Sequence, residues 1–145
     1  MISTHLLRCQ HSDAHMMIDR LLMLLDGCER TDNAAQISKQ LAKLTQLMRV
    51  HFAQEDHWLY PSLMASADPE VVEAASSFHR EMGELWEQYE AFVRGWSTLS
   101  AIVLRFDRFK VDCVAVFAAI EDRCARENEL LFPLADAAGQ ARFAA

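Results

Sequence analysis

The stretch "HFAQEDHWLYPSLMA", residues 51–65, decides how the chain is read, because an amphipathic helix here puts His51 and Glu55 where leucines belong. Upstream, Ile37, Leu41, Leu44 and Met48 recur at steps of three and four, and Leu59 continues the row downstream. The two polar residues therefore interrupt an apolar seam from within. A carboxylate in such a seam is costly unless something compensates its charge.

The same spacing marks three further seams. The first runs through His11, His15, Ile18, Leu22 and Leu25, and the third through Val72, Ala75, His79, Met82, Trp86, Tyr89 and Val93. The fourth takes Phe106, Phe109, Cys113, Val116, Ile120, Arg123, Glu127 and Leu131. Breaks at "LDGCERTDN", "SADPE" and "RGWSTLS" separate them, so four helices are predicted. Ser3 or Thr4, Asp32, and Asp68 ahead of Pro69 are the expected caps, and Gly27, Gly95 and Gly139 the expected stops. Short connections imply an all-α, up-down-up-down antiparallel four-helix bundle, one domain over residues 1–145. His15 and His79 lie ~11 residues into their helices, His51 and Glu55 ~20, and Glu127 more than ~25; at ~1.5 Å per residue, antiparallel packing brings them to one level.

An internal echo supports that convergence. "FAQEDHWLYPSLMA" (52–65) aligns without gaps to "CARENELLFPLADA" (124–137), matching Glu55 with Glu127, Leu59 with Leu131 and Pro61 with Pro133. More loosely, His15 falls opposite His79. Two helical hairpins related by a rough two-fold axis would set Glu55 and Glu127 on opposite sides of a shared site. Imidazoles and carboxylates clustered in a core call for a cation, and this mixture suits iron, manganese or zinc more than calcium or copper.

Composition narrows the alternatives. The chain has 145 residues, 52% of them apolar and 24% charged, with only four glycines and three prolines, as a packed helical protein would. A net charge of −7 offers no basic patch for nucleic acid or an anionic membrane. No apolar run reaches the ~18 residues of a membrane span, and the N-terminus lacks a signal-peptide core, so a cytoplasmic location is expected. Cys9, Cys28, Cys113 and Cys124 show no CxxC spacing and read as reduced, mostly buried thiols. Met16, Met17, Met23 and Met48 read as core filler, Trp58 and Tyr60 as packing, and His5 and His57 as incidental or exposed. Phe106 with Phe109 fits either a core or an interface, which leaves oligomeric state open.

These residues resemble the hemerythrin-like family, also called the HHE cation-binding domain, whose bundle holds a non-haem di-iron centre. "HMMIDRLL" from His15 is similar to its first-helix motif, His51, Glu55 and Pro61 meet its H-x-x-x-E signature with the following proline, and His79 matches its third-helix His. The fourth helix usually reads H-x-x-x-E-x-x-x-[LV]-F-P, and "RCARENELLFP" keeps Glu127, Leu131, Phe132 and Pro133. Two positions depart: Arg123 stands where the family has a His, and Gly83 where oxygen carriers have a second third-helix His. The resemblance implies metal ligands His15, His51, Glu55, His79 and Glu127, with His15 and His51 on one iron, the two glutamates bridging, and His79 alone on the other. A mononuclear or unequal iron site is expected, with manganese or zinc as variants and an open position near Gly83. Arg123 would pair with Glu127, or else snorkel outward while water or His11 completes a second metal. The implied role is sensing or handling dioxygen, nitric oxide, peroxide or iron, ahead of a weaker variant in which the protein is a peroxide-consuming or nitrosative-stress repair enzyme. The competing reading is a metal-free degenerate bundle acting as an interaction or signalling module.

Overall fold

A computed structural model of the chain describes residues 3–26 and 33–144, and every regular element among them is helical. The elements are α1 (Thr4–Asp26), α2 (Ala34–Gln54), a wide π turn (Glu55–Leu59), α3 (Tyr60–Met64), α4 (Pro69–Gly95), α5 (Leu99–Leu104), α6 (Phe106–Arg126), a second π turn (Glu127–Leu131) and α7 (Phe132–Ala144). Backbone dihedrals stay helical through both π turns, so α2 runs on into α3 and α6 into α7. α1 packs on α2 and α6, α4 on α3 and α6, and α7 on α1 and α3, which makes a helical bundle.

Helix ends follow local chemistry. Ser3 Oγ accepts from the Leu6 amide at 3.4 Å, Asp68 Oδ1 from Glu70 at 2.9 Å and Thr98 Oγ1 from Ala101 at 3.1 Å, each satisfying an amide that the first turn leaves orphaned. Pro69 follows Asp68, where its missing N–H costs nothing, and α4 stops at Gly95 as expected. Asp32, Gly27 and Cys28 lie outside the described residues. Gly139 does not end the last helix, because it adopts helical rather than left-handed dihedrals and α7 continues to Ala144. The fourth segment also contains a break absent from the sequence reading, at Arg105, whose guanidinium folds over the Trp96 ring at 4.8 Å.

The second seam is buried throughout, from Ile37 to Leu59. The fourth differs by one residue, Phe117 taking the place of Val116. In α1 the buried row is Leu7, His11, Ala14, Ile18, Leu21 and Leu25, one step off the expected path at two positions. In α4 it is Ala75, Phe78, Met82, Tyr89 and Phe92. Met16 and Met23 consequently face outward, 65% and 74% exposed, and are not core filler, whereas Met48 is buried. Cys9 is exposed and Cys113 buried, both free thiols, and Phe106 and Phe109 belong to the core. No described helix is long and apolar enough to cross a membrane.

Candidate metal centre

His51 is held by the last turn of α2, and Glu55 opens the π turn that follows. Glu127 opens the equivalent turn after α6. Both turns close by a hydrogen bond from residue i to i−5, Tyr60 to Glu55 and Phe132 to Glu127. Pro61 and Pro133 come next and have no N–H to donate, so the carbonyl each would have reached is released. At the second turn that carbonyl is Asn128's, and Arg8 Nη1 takes it at 3.0 Å. Asn128 is thereby fixed with its side-chain oxygen 2.8 Å from His11 Nδ1.

Four ionisable side chains meet here: His11, His51, Glu55 and Glu127 are 4%, 1%, 0% and 0% exposed, and one donor atom of each lies within 4.8 Å of the others. His51 Nδ1 donates to Gln10 Oε1 at 2.8 Å, and Gln10 in turn donates to Gln54 Oε1 at 2.8 Å. With both Nδ1 protons committed to amide oxygens, each ring presents an Nε2 lone pair inward, and the two Nε2 atoms are 3.0 Å apart. Glu55 Oε1 sits 2.9 Å from His51 Nε2, and Glu127 Oε2 lies 3.8 Å from His11 Nε2 and 4.0 Å from His51 Nε2. Both Glu55 oxygens and Glu127 Oε2 lack a hydrogen-bond donor. The acceptors therefore converge, and the Glu55 and Glu127 carboxyls are close enough to share a proton.

Protons compensate only the carboxyl side of this cluster. Burial drives both imidazoles down to about 4, even against the pull of Glu127. Burial and then the Glu55 charge push Glu127 up to about 8, and burial raises Glu55 as well. A divalent cation suits the donor set better. Two donors bonded to one ion at ~2.1 Å lie at most ~4.2 Å apart, which covers four of the six pairs, at 2.9, 3.0, 3.8 and 4.0 Å; the other two lie within 4.8 Å.

Arg123 borders the cluster. It is 4% exposed, donates from Nε to Glu127 Oε1 at 2.8 Å and from Nη2 to Tyr60 Oη at 2.6 Å and the Phe78 carbonyl at 2.8 Å. It pairs with Glu127 and does not snorkel outward. Its charge neutralises one carboxylate without offering a ligand lone pair.

Of the residues expected at a metal, the structure brings together His51, Glu55 and Glu127 and adds His11. His15 is outside the cluster, its side chain 62% exposed, with Nδ1 2.7 Å from Glu121 and Nε2 3.4 Å from Asp19. His79 is also outside, 48% exposed, with Nε2 3.0 Å from Asp56. Gly83 lies on the outer face of α4, and a Cβ there would meet no atom within 4 Å, so it borders no buried coordination position. The cause is one of register: from Leu7 steps of four and three pass through His11 and Ala14, and from Ala75 the buried path steps three to Phe78, one residue short of His79, and four to Met82. His11 was on the expected stripe, and Leu7 was the signal that would have ranked it above His15.

The family model described as Hemerythrin HHE cation binding domain matches residues 3–135. Comparison with the curated proteins and with the solved structures found no match.

Proposed function

We propose, from the premise that this chain belongs to the hemerythrin HHE cation binding domain family, that its buried cluster holds one divalent cation, iron ahead of manganese or zinc. His11, His51, Glu55 and Glu127 would be its protein ligands. The observation that carries this reading is the pair of imidazole Nε2 atoms facing each other at 3.0 Å beside carboxylate oxygens without donors; with each Nδ1 proton given to an amide oxygen, neither Nε2 has one to offer the other. Iron there would supply a Lewis-acidic, redox-active centre to which a small diatomic ligand such as dioxygen or nitric oxide can bind. The chain's own residues orient the imidazoles through Gln10 and Asn128, exclude water with Phe132 stacked 5.1 Å from His11, and hold Glu127 through Arg123. A sensing or binding role in an up-down-up-down bundle fits this arrangement better than turnover.

The internal echo supports a count of one. His51 falls opposite Arg123 and Glu55 opposite Glu127. In the other pair of helices, buried Ala14, Ile18 and Leu25 fall opposite buried Phe78, Met82 and Tyr89, which sets His11 opposite Ala75. One half-site thus keeps both imidazoles, and the other has an alanine and a guanidinium. Arg123 also favours the second reading, a metal-free interaction module, since it neutralises one carboxylate unaided. That reading leaves the opposed Nε2 lone pairs unexplained.

Elemental analysis of tag-free, desalted protein tests the proposal. Near one iron per chain is expected, lost in His11→Ala and in His51→Ala/Glu55→Ala, and retained in His79→Ala. Near two irons would show that Arg123 does not replace a metal. No metal, with stability indifferent to added iron, would leave the interaction module.

A further inference from the structure

A groove of about 440 Å³ runs between α1 and the α6 end of the last rod, with His11 and Ile18 on one wall and Ile120, Cys124 and Asn128 on the other. The exposed His15 and half-exposed Glu121 line the same groove. It therefore joins solvent to His11, whose Nε2 is 3.8 Å from the unpartnered Glu127 Oε2. A second set of donors meets at the edge that His15 and Glu121 form: one atom each from these two and from Asp19, which is outside the groove lining, all within 4.8 Å of one another. His15 and Asp19 are one turn apart on α1 and point the same way, and Glu121 reaches across from α6.

We propose that His15, Asp19 and Glu121 form a second, external site for a divalent cation of the zinc, manganese or ferrous class, at the mouth of the groove through which the buried centre loads. The loading role rests on the reading of the buried cluster as a metal centre; binding at the trio does not. One imidazole and two carboxylates suit borderline divalent ions, and water completes the coordination because all three side chains reach solvent. Exposure keeps the ion exchangeable, as a staging site requires. Without a cation the trio forms only solvent-screened ion pairs, which contribute little, so an arriving ion displaces little stabilisation.

The test uses the full chain and Zn²⁺ alone. Equilibrium dialysis should find one exchangeable Zn²⁺ beyond any metal retained on desalting, with the His15 ring ¹H–¹⁵N signals shifting on addition. His15→Ala and Glu121→Gln should each lose that equivalent, and His51→Ala/Glu55→Ala should keep it. Co²⁺ uptake followed by visible absorbance should slow several-fold in His15→Ala with the final buried amount unchanged. An exchangeable ion that survives His15→Ala, or His15 signals that ignore Zn²⁺, would overturn the site and leave ordinary ion pairs. An unchanged loading rate would overturn its role on the path. Loss of the exchangeable ion in His15→Ala, in a protein that never holds buried metal, would support this site and defeat the buried one. His15 is exposed, and circular dichroism would verify that its variant folds.

Discussion

Arg123 donates three hydrogen bonds beside the site, and its removal would strand their acceptors together. Glu127 Oε1, the Tyr60 hydroxyl and the Phe78 carbonyl would all lose a donor, and the Phe78 ring a cation 4.7 Å from its centre. Breaking a buried pair by deleting one partner costs about 3–5 kcal/mol, so Arg123→Met should lower metal-free unfolding stability by about that much in urea titration. Arg123→Lys should recover only part, because an ammonium cannot reproduce the planar fork that reaches three acceptors. A different consequence attaches to Asn128, which touches no carboxylate and acts only by fixing the His11 tautomer. Asn128→Leu is expected to weaken metal binding ~10–100-fold while leaving helix content unchanged, since groups that orient a ligand imidazole contribute at that scale. Equal metal affinity in wild type and variant would show that the tautomer is set elsewhere.

The helices arrange these residues in two unequal halves. Each rod carrying a buried glutamate widens into a π turn that begins at that glutamate, Glu55 in one and Glu127 in the other, ahead of a proline. The equivalence of the two halves permits a gain-of-function test: Ala75→His with Arg123→His should restore the missing imidazoles and raise tightly bound iron from near one to near two per chain. Either substitution alone should leave the count near one, and an unchanged count in the folded double variant would refute the two-fold relation. Much of this was legible beforehand. The α2 seam was read correctly because a single unbroken row of apolar residues on either side of His51 and Glu55 allows one phase only, and the repeated E-x-x-x-L-x-P spacing exposed Glu127. α1 and α4 were harder, because apolar residues flank both candidate paths: Leu21 and Leu22 compete in α1, and Phe78 precedes His79 in α4. A one-residue choice there exchanges His11 for His15. The π turns left no periodic signature, since they alter hydrogen bonding without interrupting the helix.

At the scale of the molecule, burial of four titratable groups in one cluster ties folding to pH, and the groups oppose each other. His11 and His51, held down to about 4, stabilise the fold in their neutral form; that contribution is complete above their ordinary value of 6.5 and is lost as pH falls toward 4. Glu127, pushed up to about 8, has the reverse sign: its contribution is complete below its ordinary value of 4.5 and is lost as pH rises through 8. Between about pH 7.5 and 8.5, a unit or more above the ordinary imidazole value, the imidazoles are almost wholly neutral whether the chain is folded or not, so the carboxyls govern. Metal-free protein should therefore melt at progressively lower temperature across that interval. His15, raised first by its hydrogen bond to Glu121 and then by Asp19, adds to the same trend. It is largely solvated, so His15→Ala should remove only a small part of the slope, and Glu127→Gln most of it. A cation reverses the sign. It binds the ionised carboxylate, so loading displaces the proton and the rise in Tm on adding Fe²⁺ anaerobically should grow from about pH 7.5 to 8.5. Scanning calorimetry of chelator-treated and loaded protein at three pH values in that range reads both slopes. Parallel curves, with a metal increment independent of pH, would mean that the added ion does not bind where Glu127 sits.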